Sequence, residues 1–441
     1  MTHLFENEKK ERIIAAKGAP EAILAVSNLT DSERDDLRQH IKNLGKQGYR
    51  LLGVAKAHFE GNDFPEKQQD IDFEFLGFTV FYDPPKQGIQ EVFQHIYDAG
   101  IKVKVITGDN EDTTKAIAQQ AGIINTSPAV NGAEIVKHTQ TELIELSRKT
   151  NLFTRMFPEA KLAMVNAFKK DEEIVAMLGD GVNDAPALKA AHIGVAMGNK
   201  GTEIAKEAAS LVIIDDDLDK LVVGIAAGRR IYTNLKKAIQ YIISIHIPII
   251  LTVSLPLFLG WIYPHIFTPV HVIFLELIMG PTCSIVYENE PMEKGTMNQK
   301  PRKITETFLS WKELNLSILQ GLIIAAGVLF AYHLTAQKGG DEETTRAMVF
   351  TTLIFANILL SLTNRSFTYS IFETLKYKNK LFSIVIGSTL VLLFAILYIP
   401  IFADFFHLVG LRAKELATAL VIASISVCLL YTSPSPRDAT L

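Results

Sequence analysis

Apolar residues are distributed along the chain in two regimes that change near Arg230. Up to that point short apolar runs alternate with charged positions, in the manner of an α/β protein. Phe75 to Phe81, Lys102 to Ile106 and Glu173 to Leu178 are expected as buried strands, and Lys86 to Asp98, Asp112 to Ala121 and Asp184 to Ala191 as helices. Strands that alternate with helices predict a parallel sheet with crossovers. Ligands of such sheets sit beyond the carboxyl ends of the strands, so residues directly after each strand carry most weight.

Beyond Arg230 long apolar stretches take over: Ala238 to about Tyr263, Phe267 to Tyr287, Leu314 to Leu334, Ala347 to Leu362, Leu381 to Phe402 and Ala417 to Tyr431. Most reach or approach the ~20 residues that a helix needs to cross the hydrocarbon, which predicts about six spans rather than buried helices of a large soluble protein. Pro248 and Pro256 interrupt the first span and Gly280-Pro281 the second. A proline removes a backbone donor, and carbonyls left open at membrane depth need protein, water or an ion to take them up. Broken neighbouring helices are where transporters bind ions, with a plain kink as the alternative. The loops after the second and fourth spans are basic (Lys294, Lys300, Arg302 and Lys303; Arg365, Lys376, Lys378 and Lys380), whereas Phe258 to Phe267 holds no Lys or Arg. Basic loops mark the cytoplasmic side, which places residues 1–235 there as well.

Length and charge narrow the classes. At 441 residues the chain exceeds one ordinary core, so at least two cores or a membrane portion are expected. Lys+Arg 44 against Asp+Glu 48 leaves no basic excess for a phosphate backbone, so nucleic acid is not an expected partner. Cys283 and Cys428 lie in apolar runs and read as small buried hydrophobes, which excludes a disulfide scaffold. Charged residues from His3 to Arg12 and the lack of an apolar run after them argue against a signal peptide.

Candidate chemistry sits at strand ends. Thr107, Gly108, Asp109 and Asn110 follow a strand and open a helix, where a hydroxyl and backbone N–H groups can cradle a phosphate. After Leu178 comes Gly179-Asp180-Gly181-Val182-Asn183-Asp184-Ala185-Pro186-Ala187-Leu188. Asp180 and Asp184 could hold Mg²⁺ through one direct and one indirect contact. A glycine turn with an aspartate cap explains the spacing locally.

TGDN followed by GDGVNDAPAL resembles the phosphorylation domain of P-type cation-transporting ATPases, in their calcium-pump-like branch. The resemblance extends to Lys17-Gly18-Ala19-Pro20-Glu21 and Gly48-Tyr49-Arg50 of the nucleotide-binding domain, to the hinge Asp83-Pro84-Pro85, and to Arg155, Pro158 and Lys161. It implies an α/β haloacid dehalogenase-like, Rossmann-type phosphorylation domain plus an all-α polytopic membrane domain. The implied division is residues 1–60 for the C-terminal part of the nucleotide-binding domain, 70–215 for the phosphorylation domain, 216–237 for a stalk and 238–431 for the fifth to tenth membrane helices. It also implies ATP held by Lys17, Gly18 and Arg50, and phosphoryl oxygens bound by Thr107 and Gly108 and neutralised by Lys161. Asp180 would ligate Mg²⁺, with Asp109, Asn183 and Asp184 completing the network.

Three features set the chain apart from the family. The phosphate-accepting aspartate of a DKTG sequence is absent, so the chain is expected to be a C-terminal portion that needs an N-terminal portion of the same polypeptide. The polar stretch 432–441 reads as an artificial terminus or a flexible tail. The family's membrane ligands also thin out, because the places of the fifth-helix amide and carboxylate align with His246 and Ile249. Those of the sixth align with Glu276 and Gly280, and an eighth-helix acid with Ile354. Glu276 and His246 are the candidate ion-transport residues, which fits calcium-type transport by branch and proton or magnesium transport by chemistry. The lack of paired cysteines disfavours soft heavy metals. A haloacid dehalogenase-like phosphatase fused to a membrane module, and an inert fragment, are the other classes.

Overall fold

The computed structural model describes residues 1–8, 11–58, 65, 67–367 and 369–429, which group into two units. The first comprises Met1–Val223 with Asn298–Ile304, the second Gly224–Met297 with the chain from Thr305 onward.

In the first unit β1 (Thr2–Glu6), β2 (Arg12–Gly18), β3 (Arg50–His58) and β4 (Glu74–Phe81) form an antiparallel sheet in that order. Helices α1 (Pro20–Val26) and α2 (Asp31–Lys46) lie between β2 and β3 in sequence. The start of α2 is set by a capping box in which Thr30 and Glu33 satisfy each other's backbone donors, worth about 1 kcal/mol. The Phe75–Phe81 run was expected as a buried strand of the parallel sheet. It is instead an edge strand paired antiparallel with β3, and Leu76 and Phe81 are exposed. An apolar run shows that a segment suits a sheet but not which neighbour it finds.

The remaining strands are parallel, as the alternation predicts, but lie in two three-stranded sheets rather than one. One has the order β5-β7-β6, from Val105–Ile106 (β5), Ala129–Asn131 (β6) and Leu152–Thr154 (β7). The other has the order β10-β9-β8, from Ala176–Gly179 (β8), Ile193–Met197 (β9) and Leu211–Ile213 (β10). Crossovers within these sheets are supplied by α4 (Glu111–Gln120), α5 (Gly132–Ile135), α6 (Gln140–Lys149), α8 (Ala185–Ala190) and α9 (Glu203–Ala208), while α3 (Ile89–Asp98) leads in from β4 and α7 (Pro158–Lys170) joins one sheet to the other. Only the last two residues of the expected strand Lys102 to Ile106 pair in a sheet, and the strand expected over Glu173 to Leu178 is shifted to Ala176–Gly179. The α7 face carrying Ala160, Met164, Ala167 and Phe168 packs on Phe153 and Ile135, and Val165 on Met177 and Leu188. Burying side chains of the larger kinds contributes roughly 1.5–3 kcal/mol each, which anchors α7 and the lysine it carries.

The second unit is helical: α10 (Asp219–Phe258, beginning in the first unit), α11 (Pro269–Pro281), α12 (Trp311–Gln337), α13 (Glu342–Thr363), α14 (Ile371–Thr374), α15 (Lys380–Tyr398), α16 (Pro400–Phe406) and α17 (Ala413–Cys428). Among the described residues five helices are long and apolar enough to span a membrane: α10, α11 with its continuation to Val286, α12, α13 and α15. Six were expected. The sixth stretch corresponds to α17, which has 16 residues, and its expected end at Tyr431 and the 432–441 tail lie outside the described residues. The fifth stretch is divided, because Pro400 starts a new helix after Tyr398. The apolar window of α13 is 78% buried against 28–39% for the other four, so α13 is the central helix. Small residues bring helices close: a Cβ on Gly321 would lie 2.7 Å from the Ser244 carbonyl, and one on Gly327 would collide with Ser426 Oγ.

Proline acts more gently than expected. α10 continues through Pro248 and Pro256 for 40 residues. Pro248 leaves the Ser244 carbonyl without its helical donor, and α12 passes that oxygen so closely at Gly321 that a Cβ there would clash with it. Past Pro281 the helix continues as a π-turn over Thr282–Val286, a distortion that relieves the proline clash without ending the helix.

Candidate functional site

Three strand ends converge within the first unit. Thr107 follows β5 and is tied to β7 and to the chain just past it: its N–H donates to the Phe153 carbonyl (3.0 Å), and its own carbonyl accepts from Met156 N (2.9 Å). Its hydroxyl accepts from Asp109 N at 3.2 Å, and Asn110 caps α4 by accepting from Thr113 N at 2.9 Å. Gly108 is exposed at the top of this turn. The result is a tight strand-to-helix turn with an outward backbone, the local form a phosphate cradle needs.

From Met156 the chain enters α7, whose N1 residue is Pro158, and Lys161 lies in its first turn. Lys161 Nζ is 2.6 Å from Asp184 Oδ1, and the two side chains are 12% and 9% exposed. Asp184 Oδ2 accepts from Gly181 N at 3.1 Å. Gly179 makes room for this arrangement, because a Cβ there would stand 2.6 Å from the Cβ of Asp184. Gly179→Ala is therefore expected to push Asp184 off Lys161 and to lower stability by about 1–3 kcal/mol, checked by thermal unfolding. Asn183 is exposed on the 3₁₀ turn Val182–Asp184. Asp180 is exposed at the end of β8, and its carbonyl accepts from Thr202 N at 2.8 Å.

These carboxylates are unequal. Asp184 is occupied by a lysine and an amide, whereas Asp180 is exposed. Among the described residues no group of three or more acidic, His or Cys side chains could hold a metal. Mg²⁺ keeps several waters and needs only one or two carboxylates beside substrate phosphate. A lone exposed carboxylate beside a lysine-paired one is a donor set of the kind Mg²⁺ accepts.

The expected nucleotide residues are split. Arg50 is exposed, and its Nε is 3.4 Å from Asp109 Oδ1, which joins the first sheet to the turn after β5. Arg155, at φ 49, pairs with Glu21 of the Lys17–Glu21 segment at 3.1 Å. Lys17 and Gly18 end β2, where Lys17 is exposed and its backbone holds the Met1 terminus. No contact brings Lys17 or Gly18 to Lys161 or Asp180 among the described residues. An open polar cleft lined by Glu21, Asn110, Asp112, Asn131, Thr154 and Arg155 lies beside the turn after β5.

In the second unit the two membrane candidates meet. His246 Nε2 on α10 is 3.2 Å from Glu276 Oε1 on α11, with side chains 39% and 49% exposed. His246 Nδ1 is 2.8 Å from the Ile242 carbonyl. A carbonyl only accepts, so Nδ1 donates in this contact and Nε2 faces the carboxylate. Ile249 and Ile354 are buried in the apolar core.

Comparisons with known proteins cover nearly the whole chain. Residues 1–88 match a family model described as "P-type ATPase, cytoplasmic domain N", and residues 54–192 one described as "haloacid dehalogenase-like hydrolase". Residues 264–433 match one described as "Cation transporting ATPase, C-terminus". A calcium-transporting ATPase of Bacillus subtilis (strain 168) is 29% identical over 449 residues, covering 98% of this chain and 50% of its own length. The Bos taurus calcium-transporting ATPase type 2C member 1 is 32% identical over 404 residues, covering 91% of this chain and 41% of its own. The chain thus spans half or less of the length of these curated relatives.

Proposed function

Because the chain belongs to the P-type cation-transporting ATPases, in their calcium-pump-like branch, we propose that it supplies part of an ATP-driven cation pump working through an aspartyl phosphate. The chain is a multi-pass membrane protein, and in this reading residues 1–235 are cytoplasmic and a cation crosses the lipid bilayer. The observation that carries the reading is the Lys161–Asp184 pair at 2.6 Å, with the exposed Asp180 four residues before Asp184 at the end of β8. The division at 1–60, 70–215, 216–237 and 238–431 is part of the proposal, with β4 paired to the first sheet.

Thr107 and the exposed amide of Gly108 would bind two equatorial oxygens of a phosphoryl group, and Lys161 would offset its charge. Asp184 holds Lys161 in place through Oδ1 and the turn through Oδ2. Mg²⁺, held by Asp180, would supply charge neutralisation at the phosphate oxygens. Asp109 orients Arg50, and Arg50, Lys17 and Gly18 would meet ATP. The acceptor aspartate would come from an N-terminal portion of the same polypeptide, since the chain holds no DKTG.

The names of the relatives support calcium as the cargo. The contact of His246 with Glu276, one carboxylate and one imidazole, favours a second reading, proton or magnesium transport, over a multi-carboxylate calcium site. Proteoliposomes of the full-length polypeptide test both: ATP-dependent calcium uptake supports the first, and acidification without calcium supports the proton reading. The chain alone, given labelled ATP, is expected to form no acid-stable, hydroxylamine-sensitive phosphoprotein.

A further inference from the structure

One residue past the π-turn the chain runs Glu288-Asn289-Glu290-Pro291-Met292-Glu293, and two of its three glutamates are buried. Glu290 is 0% exposed and Glu293 7%. Glu290 accepts from Arg365 Nε (2.9 Å) and Nη2 (3.3 Å) and from Asn379 Nδ2 (3.0 Å). Arg365, itself 2% exposed, stacks its guanidinium 4.2 Å from the Phe382 ring centroid. Glu293 Oε1 lies 2.6 Å from Nζ of Lys237, which is 0% exposed, and accepts from Phe367 N at 3.2 Å. Asn234, three residues before Lys237 and so on the same face of α10, donates to the Glu290 carbonyl at 2.8 Å.

Two desolvated ion pairs are a poor way to gain stability, because apolar residues of similar volume serve as well or better. What such pairs do confer is geometry. The Arg365–Glu290 bonds are directional, the Lys237–Glu293 pair is a charge contact without hydrogen-bond geometry, and in both a half-broken pair leaves a bare charge, so the connected pieces do not slide past one another. The pieces joined here are α10, the segment after α11, the turn after α13 and the N-cap residue of α15. α10 is also the helix that starts at Asp219 and carries His246.

We propose that Lys237, Glu290, Glu293 and Arg365 are positioning residues for transport, a buried charged latch that makes the ends of α13 and α15 and the segment after α11 follow α10 as one body. The latch keeps Glu276 aligned with His246 when α10 is displaced. It rests on the transport reading above, since a latch matters only if α10 moves.

The test uses full-length polypeptide in proteoliposomes with calcium as the probe. Lys237→Met with Glu293→Leu replaces one pair by apolar side chains, which leaves the unfolding temperature equal or higher. ATP hydrolysis persists, but calcium moved per ATP falls by at least about 5-fold, the low end of site-to-site coupling. Glu290→Gln, which strands Arg365, lowers the same ratio even where its yield of folded protein is reduced. An unchanged ratio in the double variant, or uptake that falls only in step with hydrolysis, overturns the latch. Wild-type protein with neither calcium-stimulated hydrolysis nor uptake overturns calcium transport itself, and the latch with it.

Discussion

Asp180→Asn in the full-length polypeptide is expected to lower ATP hydrolysis at ordinary Mg²⁺ concentrations by about 100- to 1,000-fold, the cost of removing one preorganised group that meets developing phosphoryl charge. The size of the effect follows from the division of labour at the end of β8. Asp184 is held by Lys161 and the Gly181 amide, whereas Asp180 is exposed. Asparagine keeps the turn, including the bond from Thr202 N to the residue 180 carbonyl, so folding is unaffected while the hard anionic ligand is lost. Binding of Mn²⁺ followed by paramagnetic resonance reads the same loss without turnover. Hydrolysis and Mn²⁺ binding that both survive would remove Asp180 from the site.

The second large effect belongs to the membrane. Glu276→Gln is expected to abolish cation-stimulated hydrolysis while unstimulated hydrolysis persists. A carboxylate within a span costs about 2.5–3.5 kcal/mol on insertion scales, so its retention there points to function. The neutral amide keeps shape and reach but loses the charge that draws a cation or a proton toward His246. His246→Ala should weaken stimulation less, because the carboxylate remains. Undiminished stimulation in Glu276→Gln would exclude Glu276 as the ion ligand.

The local motifs were the readable part of this chain. Gly179 to Leu188 lies at the end of a strand and opens a helix as its glycines and Pro186 require, and Asn110 caps α4. Contacts between distant residues were not readable. Nothing local joins Lys161 to Asp184, 23 positions apart, or Arg50 to Asp109. Phe75 to Phe81 has the composition of a buried strand, yet pairs at a sheet edge, because strand order depends on partners elsewhere in the chain. Proline placement exposed the weak points of α10 and α11 but not the outcome, since α12 passes close to one open carbonyl at Gly321 and a π-turn absorbs Pro281. The buried carboxylates Glu290 and Glu293 had a signal that went unread, a cluster of acids set directly after an apolar span, with Arg365 and Lys237 counted only as loop and stalk charges.

Phosphorylation by labelled ATP bears most directly on the role assigned to Lys161, Asp180 and Asp184. Full-length polypeptide should acquire an acid-stable, hydroxylamine-sensitive label that is lost in Asp180→Asn and strongly reduced in Lys161→Ala, while the chain alone acquires none. A label on the chain alone, or a full-length protein whose labelling is indifferent to both substitutions, would contradict the account.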